Sequence, residues 1–239
     1  MSKEYYTRYI LQSIVLIFIS LGLVASSIFL SARADNVNSS IFSTNSKPYG
    51  LTYSDWTAKW FQWLLSIPEN SNPSNDETGR NCSINQNNPN VWFLAGTGGG
   101  RAERTCTIPA GKAILFPIIN VECSYAEFPN LKTESELRAC AKSDQDKVTN
   151  LEASVDGMKI QDLNKYRIQS VLFNVTLPTN NILGQKAGIT EAVADGFYIL
   201  LQPLPAGNHE IHFSGLLVDY TTTGPQNFGT ETIYHLKVQ

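Results

Sequence analysis

The chain has 239 residues, of which 42% are hydrophobic, with 18 basic and 21 acidic side chains and four cysteines. A formal charge of −3 and the lack of a basic stripe exclude the phosphate neutralisation on which nucleic-acid binding depends, so nucleic acid is not expected as a partner. A chain of this length supports one sizeable core.

Lys3 and Arg8 precede an apolar run of 21 residues, Ile10 to Leu30, which ends in small residues at Ala32 and Ala34. The pattern predicts a signal peptide over residues 1–34, cut between Ala34 and Asp35. The run exceeds the usual signal core of about 7 to 15 residues and approaches the roughly 20 of a membrane span, so an uncleaved anchor is the alternative. In that case the membrane is met through residues 10–30 alone. Gln12, Ser13, Ser20, Ser26 and Ser27 dilute the run and favour cleavage. Both readings place the remainder outside the cytoplasm, secreted or anchored to the outer face of the membrane. Without residues 1–34 the chain keeps 15 basic and 20 acidic residues, a charge of −5.

In an oxidising compartment four cysteines read as two disulfides. Three pairings are open; Cys82–Cys106 and Cys123–Cys140 are favoured because each closes a short local loop, worth about 3 kcal/mol. A four-cysteine zinc site needs much closer pairs than the smallest spacing of 17. No metal and no cofactor are expected.

Residues 35–48 are polar and read as a tether, with a single disulfide-stabilised β-rich domain over 49–239. From Thr52 to Ile67 the period is helical, with Ser54 as the expected cap and Trp56, Trp60, Trp63, Leu64 and Ile67 at steps of three and four. Glu69 to Asn90 follows as an irregular loop of 22 residues, eight of them asparagine. "NVWFLAG" (90–96) and "KAILFPIINV" (112–121) have the form of buried strands. "GTGGGRAERTC" (96–106) between them lacks the lysine and the following helix of a phosphate loop, so it is expected as a hairpin connection with Cys106 on the return strand. Thr133 and Glu136 predict a capping box for a helix through Lys142, with a second turn from Ser143 to about Leu151. Strands then resume: "ASVDGMKI" carries the Asp156-Gly157 hairpin signal, and Phe173, Val175 and Leu177 alternate with polar neighbours. Residues 196–220 read as two strands around a Pro-Ala-Gly turn, and "TIYHLKV" is the last strand. The expected class is mainly β, a β-sandwich or jelly roll with one Trp-rich N-terminal helix and a short helical insertion.

Chemistry is sparsely marked. His209 and His212 in "HEIH" fall on opposite faces of a strand, and no G-x-S-x-G elbow is present. Carboxylate pairs leave no local signature, so Glu122, Glu127, Asp195 and Asp219 stand as candidates on that weak ground alone. Trp56, Trp60 and Trp63 share about 100° of one helix face, which is first a core stripe. Their alternative is a ligand face, completed by Asn75 and Asp76 of the Asn-rich loop.

"WTAKWFQWLLSIP", "NVWFLAG", "CTIPAGKAILFPIIN" and "PLPAGNHEIHFSG" together resemble a group of secreted microbial proteins of unknown function, over most of residues 51–220. The resemblance implies one secreted domain and supplies no catalytic residue. The expected function is a secreted or surface-tethered binding module, with extracellular polysaccharide or an envelope protein as partner. The alternatives are an extracytoplasmic hydrolase on the same scaffold and a purely structural envelope protein.

Overall fold

The computed structural model describes residues 37–38, 40–221 and 224–239. The expected signal peptide or anchor lies outside them. Among the described residues no helix is long and apolar enough to cross a membrane.

Helix α1 (Tyr53–Leu65) starts where Thr52 and Asp55 cap each other: the Thr52 hydroxyl accepts from Asp55 N, and Asp55 Oδ2 accepts from Thr52 N at 2.9 Å. The cap is therefore Thr52, two residues before the expected Ser54. Asn72 secures the other end by donating its amide to the carbonyls of Leu64 and Ile67. The strands after it are β1 (Val91–Phe93), β2 (Gly100–Ile108) and β3 (Ala113–Ser124). Helix α2 (Glu134–Gln145) has the expected Thr133/Glu136 capping box. It runs past the expected end at Lys142 to Gln145, and the second turn expected as far as Leu151 does not follow, because Val148 already opens β4 (Val148–Val155). The remainder is β5 (Met158–Lys159), β6 (Arg167–Gln169), β7 (Phe173–Leu177), β8 (Gly188–Leu201), β9 (Gly207–Thr221) and β10 (Gly224–Val238).

Among the described residues ten strands form two mixed sheets in a β-sandwich. The first runs β1-β3-β8-β6, with β7 also on β8; the second runs β2-β10-β9-β4-β5. The sheets face each other where Phe116 of the first stacks on Phe213 of the second at 5.0 Å, and Phe213 stacks in turn on Tyr234 within its own sheet at 6.4 Å. Helix α1 covers the opposite face of the first sheet, and its buried side chains join Phe93, Leu115, Phe173 and Tyr198 in one core. The Asp156-Gly157 turn joins β4 and β5, both residues at positive φ as a two-residue hairpin turn demands.

Two expectations are corrected. "GTGGGRAERTC" is no hairpin between β1 and β3. Those strands pair parallel in the first sheet, while β2 crosses between them to the second sheet and pairs parallel with β10. Its two neighbours in sequence are thus partners of each other, and β2 pairs with neither. The polar segment ahead of the domain is no tether from Ser40 onward. Ile41 bridges to Leu201, Phe42 N donates to Leu200 O at 3.0 Å, and Pro48 is buried under Trp56, whose Nε1 donates to Pro48 O at 3.0 Å. Two apolar residues within the polar run are enough to extend the core.

Both disulfides form as favoured, Cys82–Cys106 and Cys123–Cys140. The first fastens the Asn-rich loop to β2, where Gly79 lies flush on the strand at φ +87 and a Cβ would stand 2.3 Å from Thr105 O. Thr105 N donates to Thr78 O there, which covers the free edge of β2. Trp56 is 1% exposed. Trp56→Ala is expected to cost about 3–5 kcal/mol, read as a lower midpoint in urea unfolding of the oxidised protein.

Candidate functional site

The three indoles do not form a ligand face. Trp60 and Trp63 are 2% and 6% exposed, and their Nε1 atoms donate at 2.9 Å to the carbonyls of Leu94 and Ile84. With Trp56 on Pro48, each ring ties α1 to a different segment of chain. A 100° stripe on a helix that packs against a sheet is used up in packing, and Trp60 keeps only an edge in the wall of a cleft. Asn75 is exposed on the loop, its amide 3.4 Å from Glu69 O. Asp76 turns inward to its own loop, accepting from Thr78 N at 2.9 Å and Asn81 N at 2.7 Å. Burial raises its carboxyl, but the N–H groups of Asn81, Thr78 and Gly79 and the Thr78 hydroxyl outweigh that and hold it below the ordinary range. Asp76 shapes the loop, and the five residues expected as a ligand set are not brought together.

The loop is held from beneath by Arg104, on the inward face of β2 and 1% exposed. Its Nε donates to Asp76 O at 2.5 Å and Nη2 to Ser74 O at 3.1 Å. Nη1 reaches Ala95 O, Gly96 O and Tyr234 Oη at 2.6, 3.2 and 2.9 Å. Among the described residues no carboxylate pairs with it; the buried cation is met by carbonyl dipoles and the Tyr234 ring, 5.5 Å away.

Ser74 and Gly96, both fixed by Arg104, belong to the wall of a cleft of about 170 Å³ between α1, the bulged part of β3 and the Gly-rich segment. Trp60, Leu64, Asn120, Glu122, Leu183 and Phe228 complete most of it. Asn120 and Glu122 project from the α1 side of β3, where Asn120 donates to Tyr198 Oη at 3.1 Å. Asn120 fits because β8 carries Gly196 opposite, where a Cβ would come within 2.5 Å of Asn120 Cβ.

Glu122 carries the most perturbed carboxyl of the cleft. Its Oε1 is buried without a hydrogen-bond partner. Burial, then the neighbouring Glu127 carboxyl, pushes its proton affinity well above the ordinary range. Glu127, whose Oε2 accepts from Ser124 Oγ at 2.8 Å, is also raised by burial, while the hydrogen bonds from Ser124 and Glu122 pull the other way. The pair thus shares a proton, with Glu122 as donor and Glu127 as acceptor, and titrates as one unit. Of the four carboxylates singled out in the sequence, these two meet. Asp195 is instead paired with Arg167 at 3.0 Å, and Asp219 with Lys147 at 3.1 Å. His209 and His212 also stand apart, on Asp156 and Glu231.

No family model, curated protein or solved structure matches the chain.

Arg104→Met is expected to lose about 3 kcal/mol or more, seen in urea unfolding, because the carbonyls of Ser74, Asp76 and Gly96 lose the guanidinium that holds them and Ala95 O keeps only Tyr234. The carboxyl pair sets a pH dependence of known sign. A carboxyl raised in the folded state contributes stability that is complete below its unfolded value, near 4.5, and is lost as pH rises through the folded value. Between about pH 5 and pH 9 the melting temperature should therefore fall more steeply for the wild type than for Glu122→Gln.

Proposed function

We propose that the chain is a secreted or surface-tethered, disulfide-braced binding domain. In this reading a small polar group, such as one unit of an extracellular polysaccharide, enters the cleft beside Glu122. The observation that carries the reading is the buried, unpartnered Glu122 Oε1 in a wall otherwise dominated by apolar and aromatic side chains. A buried acceptor left unmade costs about 1–3 kcal/mol, which a ligand N–H or O–H recovers. Placement outside the cytoplasm is supported by the two disulfides, since such bonds persist in oxidising compartments.

The hydrolase alternative draws on the same two carboxyl groups, but their contact argues against it. Glycoside hydrolysis sets two carboxyls about 5–9.5 Å apart on either side of the scissile bond. Glu122 and Glu127 are hydrogen-bonded to each other, and Glu127 does not line the cleft. The pair offers one shared proton where that chemistry asks for two separate groups.

Thermal-shift titration of the oxidised protein with mono- and oligosaccharides tests the reading. A ligand at about a hundred times its dissociation constant adds roughly 2.7 kcal/mol, a shift of several degrees in a domain of this size. Glu122→Leu should abolish the shift while leaving the circular-dichroism spectrum unchanged. A shift that persists in the Glu122→Leu protein would place the ligand elsewhere.

A further inference from the structure

We propose that the cleft beside Glu122 takes a small protonated primary amine, whose N–H groups donate to the unpartnered Oε1. The proposal rests on the binding reading above and deepens it by naming the charge class of the ligand. Among the residues that line the cleft, Glu122 alone is ionisable, and no lysine, arginine or histidine stands in the wall to neutralise it. The titratable groups around it are Glu127, from the turn after β3, and Tyr198, from β8, with Asp195 acting on Tyr198 from farther along β8. Neither α1 nor the segments that carry Thr97 and Leu183 add a charged side chain to the lining. The ionisable groups that act on Glu122 are therefore acids, while the Arg104 cation, behind the Ser74 and Gly96 wall, has its donors taken up by carbonyls and Tyr234 and contributes no side chain to the lining.

The rest of the wall suits an ammonium group. Trp60, Phe61 and Phe228 present aromatic carbon, and a cation near such rings gains about 0.5–2 kcal/mol as it leaves water. An ammonium has three N–H donors in a compact head, against one for a hydroxyl. A divalent metal ion fits less well, because hard cations need about six or more oxygens and no three His, Cys, Asp or Glu side chains converge among the described residues. The cleft volume admits a short amine or the amino-bearing edge of a sugar.

Charge balance gives the proposal its readout. The empty pair holds one proton between two carboxyl groups. When an ammonium group binds, that proton leaves for solvent, so one cation replaces another and the net charge inside is unchanged. Affinity should then rise about tenfold per pH unit over the range in which the empty pair keeps its proton.

Isothermal titration of the full chain in two buffers of different ionisation enthalpy measures both binding and proton release. The probes are ethanolamine and glucosamine, with ethylene glycol, glucose, N-acetylglucosamine and calcium chloride as controls. The expected result is binding of both amines with release of about one proton, silence from the controls, and loss of binding in a folded Glu122→Gln protein. Glucose or N-acetylglucosamine bound without proton exchange, and lost in Glu122→Gln, would overturn the amine proposal and leave the binding domain standing. Calcium bound with proton release, or amine binding unchanged in Glu122→Gln, would also overturn it. Silence from every probe would count against the amine and the sugar reading together.

Discussion

A single buried guanidinium holds the site in shape. Arg104 enters from β2 and gathers carbonyls from two stretches of chain that have no regular structure of their own, at Ser74 and Asp76 and at Ala95 and Gly96. A buried positive charge without a carboxylate is tolerated only when its donors are met by dipoles, and a planar fork of five N–H groups can meet several at once. A lysine at this position would bring a point charge and three donors. Because Ser74 and Gly96 are also walls of the cleft, the interaction that satisfies the arginine is the one that fixes the cavity. Asp76 works on the same loop from above, and Cys82–Cys106 prevents the loop from lifting away.

Two opposite solutions to buried charge therefore stand close together. Arg104 keeps its charge and is surrounded by carbonyl oxygens. Glu122 gives up its charge, because the group beside it is another acid. The difference lies in what the backbone can offer: β2 passes beneath open loops with carbonyls to spare, while β3 is a paired strand whose own groups are engaged with β8. The side chains that meet the carboxyl here are Glu127 and, through it, Ser124.

Local chemistry was legible in the sequence wherever the signal was local. The tryptophan period marked α1, Thr133 with Glu136 marked α2, Asp156-Gly157 marked its turn, and four cysteines in short loops pointed to the observed pairing. What could not be read was which strand lies beside which, since "NVWFLAG" and "KAILFPIINV" look the same whether they form a hairpin or a parallel pair. Arg104 was similarly hidden, as its role exists only when Ser74, Ala95 and Tyr234 arrive around it. Glu122 did carry one signal. In β3 the residues Asn120, Glu122 and Ser124 recur at the strand period within an otherwise apolar run, and a polar line on a face covered by a helix marks either a network or a site.

The alternation of the chain between sheets has a consequence for how the protein comes into being. β2 lies beside β10, with Gly100 opposite Thr230, so one of the earliest strands waits for the last one described before it has a neighbour. Non-local parallel pairing of this kind is slow to nucleate, because the closure entropy of a long loop must be met before any contact rewards it. The second sheet cannot assemble from the first half of the molecule, however long that half is given. A chain built in this order keeps its second sheet open until β10 is released.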